Sequence, residues 1–251
     1  MIKKRLLFAF DYVGGVFVLL WQSIVFFPRA LRKPNLIVEQ IVFMGIESLS
    51  IVSLTALFTG MVVAFEAYYQ AQNFMPLVYV GMSVAKAEMI ELGPLITGLV
   101  VAGRVSSAIA AEIGTMKVTE QIDALEAMAI NPVEFLIVPR IITGIIVLPL
   151  LTIVSEVVAI FGGFIYSNIG LHISAGLYFR GVRLNYLPIT LYGGLLKSVT
   201  FGIIISLMGS YHGMKAKGGA EGVGEATTKA VVSSTVLLLI FDYIVSRLVF
   251  R

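Results

Sequence analysis

The chain has 251 residues, of which 58% are apolar and 13% charged, with a mean hydropathy of +0.96. Soluble domains carry about 25% charged residues, so this composition cannot cover a globular surface with polar side chains and describes an integral membrane protein. Cysteine is absent and the two histidines, His172 and His212, are far apart, which excludes disulfides, thiolate chemistry and an HExxH metal pair.

Taken in chain order, the first apolar run covers residues 6–28 and follows Lys3, Lys4 and Arg5. It is too long for a signal peptide and no small-x-small cleavage site follows it. Five further runs meet the requirement of about 20 mostly apolar residues for a spanning helix: 41–66, 89–111, 141–167, 189–211 and 230–250. The positive-inside rule decides how to read the first run. If it lies on the cytoplasmic surface and five helices cross, eleven Lys and Arg residues fall inside and five outside; if it crosses, the tally is eight to eight. The five-span arrangement is therefore expected, with 6–34 as an interfacial helix whose basic ends grip anionic headgroups. Pro28 and Gly14-Gly15 would also permit a re-entrant elbow. No internal repeat supports an inverted-repeat transporter. The tract 213–224, GMKAKGGAEGVG, reads as a short flexible cytoplasmic turn.

The chemistry of an enzyme is missing. There is no GxSxG elbow and no serine with a plausible histidine partner. Gly193-Gly194-Leu195-Leu196-Lys197-Ser198 resembles the end of a phosphate-binding loop, but it lacks the glycine before the lysine and lies in an apolar span. No catalytic residue, metal-ligand set, cofactor or nucleic-acid partner is expected, and if ATP is used another chain hydrolyses it.

The most informative stretch is 91–140. Ala102, Ser106, Ala110 and Gly114 form a small-residue stripe, read first as internal helix packing. After it, Thr119 is placed to cap a short helix running from Glu120 to about Ile130 and ended by Asn131-Pro132. Glu120, Asp123 and Glu126 fall on one side of this helix, and Ile122, Leu125, Met128 and Ala129 on another. It is too short and acidic to cross. An acidic face is repelled by anionic lipid, so a groove on a cytoplasmic protein is the expected docking partner.

Glu47, Glu66, Glu91, Arg104, Glu156, Lys197 and Asp242 lie in or at the ends of the runs. A charge at mid-bilayer costs about 2.5–3.5 kcal/mol. Arg104 can anchor to carbonyls or headgroups. Lys197 and Asp242 fit either a structural ion pair or a polar patch that receives a lipid phosphate. In the second case Asp242 or Glu91 neutralises Lys197 when no lipid is present. Gly60, Gly98 and Gly202 are expected to leave room between helices for an apolar substrate.

The run ELGP…AGR…SSA…AEIGTMKVTEQIDALEAMAINP, with PR at 139–140, LPLLT at 148–152, LLKS at 195–198, ATT at 226–228 and LLIFDYI at 238–244, resembles the MlaE (YrbE-like) permease family. The resemblance covers nearly the whole chain. It implies a single permease domain over 1–251, all-α, with an N-terminal interfacial helix, five spans and a coupling helix near 119–131 between the second and third. It also implies the membrane subunit of an ABC transporter, in the bacterial inner membrane with its N-terminus cytoplasmic. Such a transporter moves phospholipid between inner and outer membranes to maintain outer-membrane asymmetry. The implied partners are a second copy of the chain, a cytoplasmic ATPase that binds the ATP, and a periplasmic MCE-domain protein. Glu91, Lys197 and Asp242 match positions around the family's substrate cavity. Glu120, Asp123, Leu125, Glu126 and Met128 match its ATPase-coupling helix. Two competing functions are a proton-coupled secondary transporter using Glu91, Glu156 or Asp242, and a passive scaffold for a periplasmic lipid-binding protein.

Overall fold

The computed structural model describes residues 2–71, 76–184 and 186–250, with side chains from Asp11 onward, so the basic cluster Lys3, Lys4 and Arg5 lies outside the described side chains. Among the described residues there are helices and no strands. In order they are α1 (Ile2–Ala30), α2 (Pro34–Ile41), α3 (Glu47–Ala71), α4 (Val78–Ala87), α5 (Gly93–Val101), α6 (Ser107–Val118), α7 (Gln121–Ala127), α8 (Val138–Ile169), α9 (Ala175–Leu184), α10 (Pro188–Met214) and α11 (Gly219–Val249). Three single π turns, Val42–Ile46, Glu88–Leu92 and Ala102–Ser106, join consecutive helices without breaking them, and a fourth, Val133–Ile137, opens the helix that continues as α8.

Each of the five expected spans overlaps a longer continuous helix: Pro34–Gln70, Val78–Val118, Val133–Ile169, Pro188–Met214 and Gly219–Val249, the last ending one residue short of the expected 250. At 1.5 Å per residue the 41-residue Val78–Val118 is about 60 Å long, twice the hydrocarbon thickness, so helix continues well past the apolar run. A sixth stretch, Asp11–Ala30, is also long and apolar enough to cross. α1 is one unbroken helix through Gly14, Gly15 and Pro28. The tract 213–224 is not a loose turn. Gly218 and Gly219 take φ of 87° and 72°, and helix resumes at once.

The chain packs as two compact units. The first comprises residues up to Met44, Ala102–Ile145 and Gly202–Leu237. Here Ala102, Ser106 and Ala110 are completely buried and Gly114 is also buried. Gly209 lies against Ser106 and Ile109, Gly213 against Ala110 and Ile113, and Ser106 Oγ is 3.0 Å from Ser234 Oγ. The small-residue stripe is thus consumed by packing within the chain. The second unit comprises Gly45–Val101, Ile146–Phe201 and Leu238 onward. Its core around Ala64, Val80 and Val84 is closed by Ile173 and by Tyr178 of α9, a helix not anticipated from the sequence. Burial pushes the Tyr178 phenol above its usual range, so it stays a neutral donor to the Ile160 carbonyl at 2.9 Å. Gly60, Gly98 and Gly202 do not hold space open. They meet Ala159, Phe201 and Gly144 respectively, each within its own unit.

Candidate functional site

The second unit brings Glu91, Lys197 and Asp242 together. The local cause is a proline. Pro94 has no N–H to offer the carbonyl of Ile90, four residues earlier, and the chain there takes the wider π turn Glu88–Leu92. Close approach does the rest. In α10, Gly194 lies against the carbonyl of Met89 and the ring of Pro94, and Gly193 against Val249 and Phe250 at the end of α11. A Cβ at either position would push α10 off its neighbours. The glycine pair that mimics a phosphate loop in the sequence is therefore a packing device, and it sets Lys197 one turn further along against the π turn.

Lys197 is completely buried, and its ammonium lies 2.5 Å from Glu91 Oε2, 3.0 Å from Asp242 Oδ1 and 3.0 Å from the Ile90 carbonyl. The ammonium donates hydrogen bonds to Glu91 and to the Ile90 carbonyl, and Asp242 completes the cluster as an ion-pair partner. The two carboxylates differ in exposure. Asp242 is 9% exposed at its side chain, whereas Glu91 is 41% exposed and also accepts from Ser246 Oγ at 3.5 Å. Two carboxylates around one ammonium leave the cluster formally anionic when all three are ionised, and Glu91 is its open side.

Two other cations follow the same pattern. Arg104 donates to the Phe43 carbonyl at 2.9 Å, and Arg140 donates to the Leu136 carbonyl at 2.5 Å. Both carbonyls belong to π turns, as does that of Ile90. Arg104 thus anchors to a carbonyl, and its guanidinium lies 5.5 Å from the centre of the Phe43 ring. Arg140 also pairs with Glu112 at 2.7 Å.

Glu88 was missed and Glu156 under-read in the sequence. Both are buried, and Oε1 of each lacks a hydrogen-bond partner among the described residues. Glu88 stands three residues before Glu91 at the start of an apolar run, and that spacing was the available signal.

The acidic helix is present in the first unit as α7, but it is shorter than expected and differently capped. Thr119 does not cap it; its hydroxyl donates back to the Thr115 carbonyl at 2.8 Å. Glu120, with φ of 61°, turns the chain into the helix instead. Ala129, with φ of 58°, follows the helix end, and the Asn131 side chain accepts from the Val133 amide at 2.9 Å, serving the next helix. Seven residues cannot hold a helix alone. Ile122 is fully buried against its own unit and Lys117 bonds Asp123 at 2.7 Å. This leaves Leu125 half-buried, Met128 62% exposed, and Glu120 and Glu126 on the surface. Of the five candidate coupling residues, Asp123 is therefore already engaged within the chain.

Long apolar helices and, in the second unit, an ionic cluster buried among them define an all-α, multi-pass membrane protein. The comparisons agree. The family model described as "Permease MlaE" matches residues 37–248. A probable ABC transporter permease of Rickettsia conorii is 40% identical over 217 residues, covering 86% of this chain and 84% of that protein. A probable ABC transporter permease of Synechocystis is 37% identical, covering 99% and 92%. The intermembrane phospholipid transport system permease protein MlaE of Haemophilus influenzae is 31% identical, covering 98% and 95%. The chain belongs to the MlaE permease family.

Proposed function

We propose that this chain is the membrane subunit of an ABC transporter that moves phospholipids between the inner and outer membranes of a bacterial envelope and thereby maintains outer-membrane asymmetry. It works as a homodimer in the inner membrane, with its N-terminus cytoplasmic and α1 along the interface. A separate cytoplasmic ATPase docks at α7 and binds the ATP, so the chain needs no cofactor and is not itself an enzyme. An MCE-domain protein meets it on the periplasmic side. Family membership and the phospholipid named for the Haemophilus relative support this reading. One structural observation carries it to residues: a fully buried lysine in an apolar surround, with its one half-exposed partner at Glu91.

Glu91 is the ligand a headgroup phosphate displaces. When lipid arrives, the carboxylate swings into the more polar surroundings and the phosphate takes its place on Lys197, while Asp242 and the Ile90 carbonyl keep the ammonium in position. When lipid leaves, Glu91 returns and no buried cation stands unpaired. Buried Glu88 and Glu156 favour a second reading, in which proton transfer drives the cycle.

Paired substitutions separate a headgroup role from a purely structural one. Lys197→Met with Asp242→Leu removes the buried charges together, so the double variant should assemble with its ATPase yet fail to move lipid. Lys197→Arg should keep partial transport. Recovery of lipid transport in the double variant would contradict the headgroup role.

A further inference from the structure

The first unit contains a cavity of about 790 Å³ between α1, the end of α10 and the first half of α11, and it shares no residue with the Lys197 cluster. That volume falls in the range of about 300–1,000 Å³ typical of sites for small ligands. Its walls change character from inside to rim. Deep in it, His212 Nε2 lies 3.2 Å from the Tyr12 hydroxyl and 3.0 Å from the Ser233 hydroxyl. One wall is apolar, with Val232 and Val236 standing more than half exposed on a helix apolar enough to span a membrane. The rim carries Lys215, Lys217 and Lys229. Asp11 lies 3.7 Å from Lys215 and Glu225 lies 2.7 Å from Lys229, so three cations face two carboxylates and Lys217 supplies the excess.

A soluble anion would use the rim and leave the valine wall idle. A neutral hydrocarbon would use the wall and leave the lysines idle. Only an amphiphile with an anionic head uses both, and the bilayer around these helices supplies it. We infer that this cavity binds one anionic phospholipid from the leaflet on the lysine side, its phosphate among Lys215, Lys217 and Lys229 and its acyl chains along Val232 and Val236. This goes beyond the transport reading, because the lipid held here need not be the one carried.

A cysteine-free chain permits a local readout. Thr228 lines the cavity, so Thr228→Cys in the purified full-length protein reports occupancy through its alkylation by a bulky maleimide. Dioleoylphosphatidylglycerol in mixed micelles should slow alkylation about tenfold, whereas dioleoylphosphatidylcholine or inorganic phosphate should change it less than about twofold. Protection should disappear in Val236→Trp, which fills the cavity, and in the combined change Lys215→Gln, Lys217→Gln and Lys229→Gln. It should survive the double change Lys197→Met with Asp242→Leu, whatever that change does to transport. Equal protection by phosphatidylcholine or by inorganic phosphate, or unaltered protection in both cavity variants, would overturn the assignment. Loss of protection in that double variant would place the reporting lipid at the other site and overturn it equally.

Discussion

Pro94 leaves the Ile90 carbonyl without its helical partner, and Lys197 fills the gap while binding Glu91 and Asp242. Removing the cation strands Asp242 in an apolar surround, and breaking a buried pair in this way costs about 3–5 kcal/mol. Lys197→Met should therefore lower the detergent-solubilised melting temperature by roughly 6–20 °C, and adding Asp242→Leu should return at least half of that loss. A single variant that melts like the parent would show that the cluster contributes nothing to stability. Glu91→Gln tests the open side. Asp242 and the Ile90 carbonyl still hold Lys197, so the melting temperature should fall less than in Lys197→Met while lipid transport falls. The sequence shows these three residues as costly charges within spans, but not that they meet. Their meeting depends on Gly193 and Gly194 letting α10 close on two neighbours at once, and a glycine pair in an apolar run does not announce which backbone it approaches.

At the scale of elements, α7 divides its apolar face between two tasks. Ile122 faces inward and holds the helix, while Leu125 and Met128 are left for something else to cover. Leu125→Arg should abolish co-purification of the ATPase while leaving the permease in the membrane, because a charge in a docking groove is left desolvated and unpaired. Ile122→Arg should instead lower the yield of folded permease itself. Undiminished ATPase binding by Leu125→Arg would sink the docking assignment. The amphipathic pattern was legible in the sequence and the cap was not. Thr119 has the right chemistry for a cap, but its hydroxyl is taken by the previous turn and the left-handed Glu120 does the turning. α9 was invisible for a different reason. Its ten residues carry two arginines and fall between the apolar runs, and only burial of Tyr178 reveals the helix as part of the core.

For the whole molecule, five of the six long apolar helices were readable as spans because hydrophobic length is a direct consequence of the bilayer's thickness. Their ends were not, because helix extends past the apolar run wherever the backbone can bond to itself. α1 is the point where length and charge disagree. Its apolar stretch is long enough to cross, whereas the charge tally favours the interface. Asn35→Cys decides this. It is exposed just beyond α1 and should react with impermeant maleimide only from the cytoplasmic side; reaction from the periplasmic side would show that α1 crosses. The central claim is that ATP hydrolysed on a partner drives phospholipid through this chain. Proteoliposomes containing the permease and its ATPase test it directly, with a fluorescent phospholipid followed to an acceptor MCE-domain protein. Movement should require hydrolysable ATP and be absent with Lys197→Met plus Asp242→Leu; movement driven by a proton gradient alone, without ATP, would contradict the account.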